Sequence, residues 1–467
     1  MQTSQSTLIG ANLAQYANRF SGYTELRLQR NTSTNIVLVN GDISSNARST
    51  HGGVSGRVFQ DGVWGFASRP DLDDQNIIRV INDATRNAVF LARRSGRNTH
   101  GLPQDRAQHT VDFGTRMPRS SQAQVLEFLT TLDAHIAKSY TGLTSRTVQL
   151  ADLDMEKNLY NSDGSQAYSN ITRSLVILSM TMPDANGAPV TLRKAYGGRG
   201  QFEDVFAAPE DLYAEAATLY EHLLNKANAV APRAGTHDVI LDSELAGILA
   251  HEAVGHTTEA DLVREGSVAG DCVGEQVASP LISMVDFAHT YDGETLPVPV
   301  FVDDEGVAGR DVQLIKDGIL QNFMHNKESA EHFSKDITGN ARAYQFFDEP
   351  LIRMRNTAIL PGTDKLQDMI ASVEDGYYLM WPSNGQADST SEFMFGVSLG
   401  YEIKDGNLGR AITDTTIAGV AFDMLKTVTM VSDEMTWGCA GMCGKKQIIP
   451  VGMGGPAVKC RIHVGGK

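Results

Sequence analysis

The chain changes character at residues 229–236, a connection that contains a proline and a glycine and follows a strongly helical segment, residues 208–228. Proline and glycine are typical of connections between regular elements. Before this point helical segments alternate with strands, and after it short strands and glycine turns dominate. We therefore expect an α+β protein with an N-terminal α/β domain, residues 1–230, and a mainly β C-terminal domain, residues 231–467, that carries the metal-binding helix.

Hydrophobic periodicity and turn residues predict the elements of both halves. The Asp-Gly pair at residues 61–62 supplies the positive φ angles of a tight turn, so we expect a β-hairpin around it. Helical spacing occurs at residues 10–30, 72–93, 121–138 and 208–228. Strands are expected at residues 35–41, 54–59, 63–66, 145–154, 167–183 and 189–196, and in the second half at residues 239–241, 299–302, 318–324, 398–403 and 458–464.

Composition and charge argue against several classes of protein. The 467 residues include 40 basic and 56 acidic side chains, a net charge of −16, whereas nucleic-acid binding needs a basic face. Residues 1–6 lack the basic start of a signal peptide, and no apolar run approaches the roughly 20 residues of a membrane span. We therefore expect a cytoplasmic protein with no nucleic-acid or membrane partner. Four cysteines are too few for a disulfide framework in a chain of this length.

A candidate metal motif follows a predicted helix start. Asp242 and Ser243 are favourable N-cap residues, and apolar residues then recur at helical spacing. His251, Glu252 and His256 lie on the same predicted helix. Neutral imidazoles are good zinc ligands, and a glutamate beside a ligand can be the general base for zinc-activated water. The pattern therefore predicts a zinc-dependent hydrolase.

The spacing of the two histidines adds a structural prediction. In the common zinc-peptidase motif the histidines are four residues apart and share one face of a regular helix. His251 and His256 are five apart, so on an ideal helix they would diverge by about 140°. Both reach one ion only if the helix widens into a π-type bulge or breaks, and Gly255 makes such a distortion easy. We therefore expect a helix irregularity near Gly255.

A catalytic zinc site needs a third protein ligand and an open position for water. Glu259 and Asp261 are the local candidates, and Cys443, in a loop with glycines on both sides, is the distant one. Composition and spacing do not select among the three. The competing interpretation of the motif is a helix with two partly buried histidines and a surface glutamate, without any metal.

Residues 248–261 resemble the metal motif of the TldD/PmbA family, the microcin-processing metallopeptidases that are also called modulators of DNA gyrase. The resemblance runs from about residue 50 to the C-terminus, and its blocks follow one another in the family's order. Residues 53–59 and 61–67 are similar to the family's N-terminal hairpin. C-terminal blocks of the family match residues 302–306, 317–320, 338–342, 442–445 and 450–454.

The resemblance implies a zinc ion held by His251, His256 and Cys443, with Glu252 as the general base. It implies cleavage of unfolded or leader-type peptides by a dimer, either of identical chains or of one catalytic chain and a paralogue that lacks the motif. Since this chain keeps the motif, it is similar to the catalytic, TldD-like member. A thiolate ligand makes zinc a weaker Lewis acid than a third histidine would, so we expect a slow, selective peptidase. Its extended substrate could pair with the edge of a β-strand.

The chain departs from the family's pattern ahead of residue 392. The glycine-rich stretch before the family's Gln-x-Asp block appears here as residues 381–388, and Glu392 stands where a glycine is usual. This departure leaves the residues of the substrate-lining wall unassigned.

Several other residues invite a functional interpretation. His325, Arg342 and Tyr344 are candidate oxyanion or substrate contacts, but a structural role is the simpler expectation for each. The acidic residues 303–305 suggest a second metal site, although we expect a turn with solvated carboxylates instead. Residues 196–200 resemble a phosphate loop but lack its lysine and spacing, so we expect a glycine turn.

Two other functions remain open at this point. One is a non-enzymatic regulator that binds a partner protein and uses zinc structurally, and the intact Glu252 argues against it because a structural zinc site needs no base. The other is a hydrolase that uses the same zinc on a non-peptide amide.

Overall fold

The computed structural model describes residues 8–95, 101–387 and 390–465 of the chain. Residues 1–6, on which the signal-peptide argument rests, and Asp388, in the stretch that departs from the family's pattern, lie outside the described residues. Large antiparallel sheets are combined with helices in both halves, so the expected α+β class is confirmed.

The first half consists of one sheet and the helices that pack on it. Its strands are β1 (Tyr23–Val39), β2 (Asp42–Gln60), β3 (Val63–Arg69), β4 (Gln108–Asp112), β5 (Ser145–Asn161), β6 (Gln166–Pro183) and β7 (Pro189–Arg199). Its α-helices are α1 (Asp74–Ser95), α2 (Gln122–Ser139), α3 (Phe202–Val205) and α4 (Tyr213–Ala227), and short 3-10 helices occur at Leu8–Gly10, Leu13–Arg19 and Pro209–Leu212.

The sheet of the first half has the strand order β3-β2-β1-β5-β6-β4, and β7 pairs with the second part of β6. All neighbours are antiparallel except β4, which runs parallel to β6. Four apolar residues of β1, Leu26, Leu28, Ile36 and Leu38, alternate along the strand and are buried under α1 and α2. One face of the strand therefore belongs to the core, as the period of two requires.

The other face of β1 is polar and also buried, because the second half of the chain packs against it. Arg27 Nη2 donates to the carbonyl oxygen of Gln345 over 3.2 Å, and the side-chain amide of Gln29 donates to the carbonyl oxygen of Tyr344 over 2.6 Å. These bonds replace the water that the polar groups lose on burial. β1 therefore belongs to the core of the first half on one face and to the contact between the two halves on the other.

The helix expected at residues 10–30 is wrong over its second part. A 3-10 helix occupies Leu13–Arg19, and β1 begins at Tyr23. Leu26 and Leu28 recur at the period of a strand, but the burial of the intervening polar residues depends on the second half. That contact leaves no local signal in the sequence.

The second half contains many short strands and a few helices. Its strands are β8 (Gly235–Leu241), β9 (Met284–Phe287), β10 (Thr290–Tyr291), β11 (Glu294–Thr295), β12 (Val312–Lys316), β13 (Ile319–Leu320), β14 (Ala341–Arg342), β15 (Leu351–Ile352), β16 (Asn356–Ile359), β17 (Asp375–Ala387), β18 (Glu392–Lys404), β19 (Asn407–Ala411), β20 (Thr415–Val420), β21 (Met430–Val431), β22 (Thr436–Lys445), β23 (Gln447–Gly455) and β24 (Val458–Gly465). Its α-helices are α5 (Ser243–Leu249), α6 (Ala260–Arg264), α7 (Lys327–Phe333), α8 (Leu366–Ala371) and α9 (Ala421–Lys426), and a further 3-10 helix lies at Val268–Asp271.

Two sheets of the second half enclose the helix that carries the metal motif. Strands β17, β8, β24, β20 and β18 pair in this order, and β17 also pairs with β18, which closes the five strands into a barrel. A second sheet has the order β13-β12-β9-β16-β23-β22, so β22 lies at its edge. Helix α5 packs against β17 of the barrel and β23 of the second sheet. The domain limits near residues 229–236 stay a prediction, although β7 ends before this connection and β8 begins within it.

Two of the strands expected in the second half are wrong. Residues 299–302 open with a proline, which has no N–H to donate, and form no strand; Val302 makes only an isolated bridge with Ala308. Of residues 318–324 only Ile319–Leu320 is a strand, because the residues that follow form hydrogen bonds to other elements.

The solvated acidic turn expected at residues 303–305 is wrong, since these side chains are buried between the two halves. Nζ of Lys157 lies 2.7 Å from Oδ2 of Asp304, and Nη2 of Arg57 lies 2.5 Å from Oε1 of Glu305. Cations of the first half therefore neutralise acids of the second half, a pairing that no local pattern reveals.

The glycine turn expected at residues 196–200 is also wrong, because β7 continues to Arg199. Gly197 has a φ of 124°, and a Cβ there would lie 2.3 Å from the carbonyl oxygen of Ser174 on β6. This glycine is needed for a close approach within a strand. Among the described residues, no helix has the length and apolar character that a membrane crossing requires.

Candidate metal centre

The metal motif begins on α5, which is capped by Asp242. The carboxylate accepts a hydrogen bond from the N–H of Leu245 over 2.8 Å, and this leucine is buried in the core. The helix then passes into a π-helical turn at Ala250–Gly255 and a 3-10 turn at His256–Thr258. The irregularity expected from the histidine spacing is therefore confirmed.

Gly255 allows the π-helical turn to pack closely against its surroundings. A Cβ at this position would lie 2.0 Å from Sδ of Met354 and 3.2 Å from the carbonyl oxygen of Ala250. Its φ of −56° suits any residue, so the requirement for glycine here is one of space. The wider turn places the ring centroids of His251 and His256 5.2 Å apart, with the ring planes at 81°.

Strand β22 brings Cys443 to the two histidines. Its Sγ lies 3.2 Å from Nε2 of His256, and the candidate ligand atoms of Cys443, His251 and His256 all lie within 4.8 Å of one another. Ligand atoms around a tetrahedral zinc ion are roughly 3.5 Å apart, given the usual Zn–N and Zn–S bond lengths. Two imidazoles and a thiol thus converge at a separation close to that of a zinc site.

His251 provides a test of whether these residues fit a metal ion. The residue is 1% exposed, and neither ring nitrogen has a hydrogen-bond partner among the described residues. A buried polar group without a partner costs about 1–3 kcal/mol. A metal ion bound by one of the nitrogens would supply the missing interaction, so the residues fit a metal centre.

The second ring nitrogen of His256 is held by Glu259. Nδ1 lies 2.8 Å from Oε2 of Glu259, whose side chain is fully buried. If Nδ1 carries the proton of this hydrogen bond, the lone pair of Nε2 is free for a metal ion. Burial would raise the pKa of Glu259, but the charges of Lys445 and His256 outweigh it and lower the pKa to about 2.

The surroundings of Cys443 favour the thiolate, which is the form of cysteine that binds metals. Burial would raise the pKa of the thiol, but the electrostatic interaction with His251 and the hydrogen bond with His256 lower it to about 4. Burial likewise would lower the pKa of His256, whereas Glu259 and Cys443 raise it well above its usual range. The cluster therefore favours a thiolate at Cys443 beside a protonated His256, and a metal ion bound at Nε2 would displace that proton.

Glu252 stands beside the three candidate ligands. Its Oε2 is 3.5 Å from Nε2 of His256, and its side chain is 20% exposed. The carboxylate is therefore close to the candidate ligand atoms and also accessible to water. That position suits a general base.

The local alternatives for the third ligand interact with a lysine instead. The carboxylate oxygens of Asp261 lie 2.8 and 3.0 Å from Nζ of Lys445, and Oε2 of Glu259 lies 3.2 Å from the same ammonium group. Neither acid belongs to the group of atoms within 4.8 Å of one another. Cys443 is the candidate that the structure brings to the histidines.

A groove of about 650 Å³ lies between β7 and β22, and its lining includes neither Glu252 nor a candidate metal ligand. It reaches Ile248, one turn before His251, and Gly441, two residues before Cys443. Both strands are edge strands within the described part of the chain, because β7 pairs only with β6 and β22 only with β23. The carbonyl oxygens of Cys439 and Gly441 accept hydrogen bonds from Arg173, and that of Gly197 accepts one from Sγ of Cys439, so a further strand can pair only with the remaining backbone groups of these edges. The aromatic residues of the lining are Tyr196, Phe206, Trp381 and Trp437.

The other candidate contacts have structural partners. Nδ1 of His325 lies 3.1 Å from Oγ of Ser329, and the imidazole is fully buried. Arg342 donates to the carbonyl oxygen of Pro450 over 2.8 Å, and the carbonyl oxygen of Tyr344 accepts hydrogen bonds from β1. These contacts agree with a structural role for His325 and Arg342, whereas the half-buried side chain of Tyr344 packs against the apolar cluster that contains Cys443.

Two basic residues of the site were missed by the sequence analysis. Lys445 follows Cys443 by two residues, so the period of a strand could have placed both on one side. Arg353 is fully buried and donates to the carbonyl oxygen of Cys443 over 2.7 Å. No local pattern around Arg353 points to the hairpin that it holds.

The remaining cysteines have no part in the cluster. All four cysteines are free thiols among the described residues. Cys460 lies in the core of the barrel, where a small apolar residue is expected, and Cys272 and Cys439 are half-buried.

Family models match both halves of the chain. The model of the PmbA/TldA metallopeptidase C-terminal domain matches residues 234–466, and the model of PmbA/TldA metallopeptidase domain 1 matches residues 24–88. The C-terminal match includes all the candidate metal ligands.

Several curated relatives are similar over most of their length. A metalloprotease of Methanocaldococcus jannaschii is 31% identical over 94% of this chain and 95% of its own. A zinc metalloprotease TldD homolog of Saccharolobus solfataricus is 26% identical over 96% of this chain and 97% of its own. A metalloprotease TldD homolog of Haemophilus influenzae is 36% identical over 69% of this chain and 68% of its own.

Solved structures share the fold at low sequence identity. A Thermotoga maritima protein described as a modulator of a DNA gyrase superposes with a TM-score of 0.74 at 19% identity, covering 94% of this chain and 96% of its own. TldE from Thermococcus kodakarensis superposes with a TM-score of 0.71 at 17% identity, covering 96% of this chain and 99% of its own. At such identities the likeness concerns the fold alone.

Proposed function

Because the chain belongs to the TldD/PmbA family of metallopeptidases, we propose that it is a zinc-dependent peptidase that cleaves unfolded or leader-type peptides. In this proposal His251, His256 and Cys443 hold the zinc ion and Glu252 is the general base. One observation carries it: ligands from two segments 187 residues apart converge beside a partly exposed glutamate.

The chemistry divides between the metal and the side chains around it. His251, His256 and Cys443 would hold a zinc ion, and its Lewis acidity would serve to polarise a peptide carbonyl and to lower the pKa of water. Glu252 takes the proton of the attacking water and passes it to the amine nitrogen of the leaving fragment. Glu259 accepts the Nδ1 proton of His256, which would leave the lone pair of Nε2 to hold the ion.

An extended peptide fits the groove between β7 and β22. The outer edge of β22 offers backbone N–H and C=O groups next to Cys443, and a peptide that pairs with them becomes a further strand of the sheet. Backbone pairing does not depend on side-chain identity, which suits unfolded substrates. The aromatic residues of the groove provide apolar contacts for bulky side chains.

The proposed working unit is a dimer, either of two identical chains or of this chain with a paralogue that lacks the motif. Light scattering on the purified chain, alone and with a candidate paralogue, measures the mass of the assembly. A chain that stays monomeric in both samples contradicts the dimer.

Substitution of Glu252 by glutamine tests the function. Glu252→Gln keeps the size of the side chain and removes its basicity, so zinc content should remain while cleavage of unfolded peptides falls by about 10²- to 10⁴-fold, the usual contribution of a general base. Glu265→Gln, at an exposed position, is the matched control and should cleave like the wild type. Unchanged cleavage by Glu252→Gln would refute the mechanism.

The same experiment separates the alternatives. A non-enzymatic regulator with a structural zinc predicts that neither the wild type nor Glu252→Gln cleaves any peptide, while both keep zinc. A hydrolase of non-peptide amides predicts cleavage of small amides and none of unfolded peptides. The partly exposed position of Glu252 beside the ligands favours the peptidase over the regulator, because a structural zinc site needs no base.

A further inference from the structure

Lys445 links the strand of Cys443 to the helical segment of His256. On β22, one residue separates Cys443 from Lys445. Cys443 pairs with Ile449 of β23 and Lys445 pairs with Gln447, in regular register, so both side chains point to the same side of the sheet. Nζ of Lys445 lies 3.2 Å from Oε2 of Glu259, and the lysine side chain is 12% exposed. The same oxygen of Glu259 contacts Nδ1 of His256 over 2.8 Å.

Glu259 is the central group of this chain of contacts. Its side chain is fully buried, and its Oε1 has no hydrogen-bond partner in the described part of the chain. A buried carboxylate is costly unless charged or hydrogen-bonding groups surround it. The contacts that supply them are Lys445 on one side and His256 on the other.

Resting on the proposed function, we propose that Lys445 is a positioning residue for the zinc site, which joins the Cys443 strand to His256 through Glu259. Cys443 and His256 come from distant segments, and β22 lies at the edge of its sheet. The contact between Lys445 and Glu259 fixes the hairpin relative to the helical segment, and Glu259 in turn holds the ring of His256 through Nδ1.

The direction in which loss of Lys445 changes the zinc affinity distinguishes a positioning role from direct repulsion between the lysine charge and the ion. Lys445 carries a positive charge, and removal of a positive charge near a divalent cation should strengthen cation binding by Coulomb's law. A positioning role predicts the opposite, because the ligands lose their mutual arrangement. The loss of a residue that orients a ligand typically weakens metal binding about 10- to 100-fold.

The test compares two neighbouring lysines. Lys445→Met should raise the zinc dissociation constant about 10- to 100-fold, measured by competition with a chromophoric chelator. Lys446→Met makes the same chemical change one residue further along, at an exposed position, and should stay within about twofold of the wild type. Zinc binding by Lys445→Met that is unchanged or tighter would overturn the proposal.

A double-mutant cycle tests the route through Glu259. Glu259→Gln keeps an acceptor for His256 but removes the charge that Lys445 contacts. In this background Lys445→Met should raise the dissociation constant less than it does in the wild-type background, since the contact with Glu259 is already lost and only the pair with Asp261 remains. An effect as large as in the wild-type background contradicts the route.

Two further measurements distinguish an effect on zinc affinity from an effect on folding or on catalysis. The thermal unfolding of each metal-free variant shows whether it folds, and should Lys445→Met not fold, Lys445→Gln is compared with Lys446→Gln in its place. Because the readout is zinc affinity, a wild type that binds zinc without cleaving peptides refutes the peptidase and leaves the positioning test intact. Cleavage by the wild type with unchanged affinity in Lys445→Met refutes only the positioning role.

Discussion

The carbonyl oxygen of Cys443 accepts a hydrogen bond from Nη2 of Arg353 over 2.7 Å. Nη1 of the same guanidinium donates to the carbonyl oxygens of Lys445 and Gln447, at 3.3 and 2.8 Å. Arg353 is fully buried, and its planar fork therefore holds both strands at the closed end of the β22–β23 hairpin. The backbone of a candidate metal ligand depends on a side chain from another part of the chain.

Arg353→Met should destabilise the protein. Three carbonyl oxygens lose a donor, and a buried acceptor left unsatisfied costs about 1–3 kcal/mol, so we expect the free energy of unfolding of the metal-free protein to fall by about 3 kcal/mol. Urea denaturation measures it. Arg461→Met is the control, because Arg461 is 64% exposed and its pair with Asp238 should contribute less than about 1 kcal/mol. Equal losses in both variants would contradict the role of Arg353.

Removal of a ligand should remove the metal. His256→Ala and Cys443→Ala should each lose most of the bound zinc, whereas the wild type should retain about one ion per chain after dialysis, because three protein ligands hold a catalytic zinc ion. Metal analysis of the purified proteins measures this. Cys439→Ala, a half-buried cysteine of the same strand, is the matched control and should keep its zinc. Full retention in both ligand variants would refute the site.

Gly255→Ala should disturb the π-helical turn. The new Cβ would lie 2.0 Å from Sδ of Met354, and overpacking of a core costs about 1–3 kcal/mol, so the thermal midpoint should fall. Gly198→Ala is the control, because a Cβ there meets no atom within 4 Å. In the double variant Gly255→Ala with Met354→Ala the clash is relieved. The thermal midpoint should therefore fall by less than the sum of the falls in the two single variants. Strict additivity would show that the sulfur atom is not the obstacle.

Asp242 should make stability depend on pH. Burial, followed by repulsion from Glu244, raises the pKa of Asp242 to about 7, while the unfolded chain titrates near its usual value of about 3.9. Between these values Asp242 is protonated in the folded state and ionised in the unfolded state. Its contribution to the free energy of unfolding therefore falls as pH rises from about 4 to about 7. Above that range the loss is complete.

Asp242→Asn removes this contribution and keeps the N-cap of α5, because asparagine caps a helix about as well as aspartate. Urea denaturation across the same pH range should therefore show a smaller fall of stability in the variant than in the wild type. Asp238→Asn, at a position 52% exposed, is the control and should follow the wild type. Parallel curves for Asp242→Asn and the wild type would contradict the assignment.

Features of the structure that depend on neighbouring residues followed from the sequence. The hairpin expected around residues 61–62 is present, with positive φ angles of 49° at Asp61 and 86° at Gly62. Ser121 caps α2 and Asp242 caps α5, close to the expected helix starts. The five-residue spacing of the histidines predicted the π-helical turn. Such features are determined by contacts a few residues apart, and a single sequence contains all the groups involved.

The third ligand was not determined in this way. The residues alone left Glu259, Asp261 and Cys443 open, and only the resemblance to a family selected the cysteine. The structure brings Cys443 to His256 because β22 pairs with β23 at the edge of a sheet that packs on α5. Which strands pair, and in which register, depends on burial across the whole chain.

Partners distant in the chain also explain why the surroundings of residues 303–305 and the role of Arg353 were not predicted. The sequence suggests that residues 303–305 are solvated, but they are buried and paired with cations of the first half. Arg353 likewise holds a hairpin that is about 90 residues away in the chain. The sequence by itself therefore determined the helix with His251, Glu252 and His256, its cap and its distortion. Only the tertiary structure decided which thiol, lysine and arginine complete the site, because partners distant in the chain meet through the packing of the sheets and not through a local pattern.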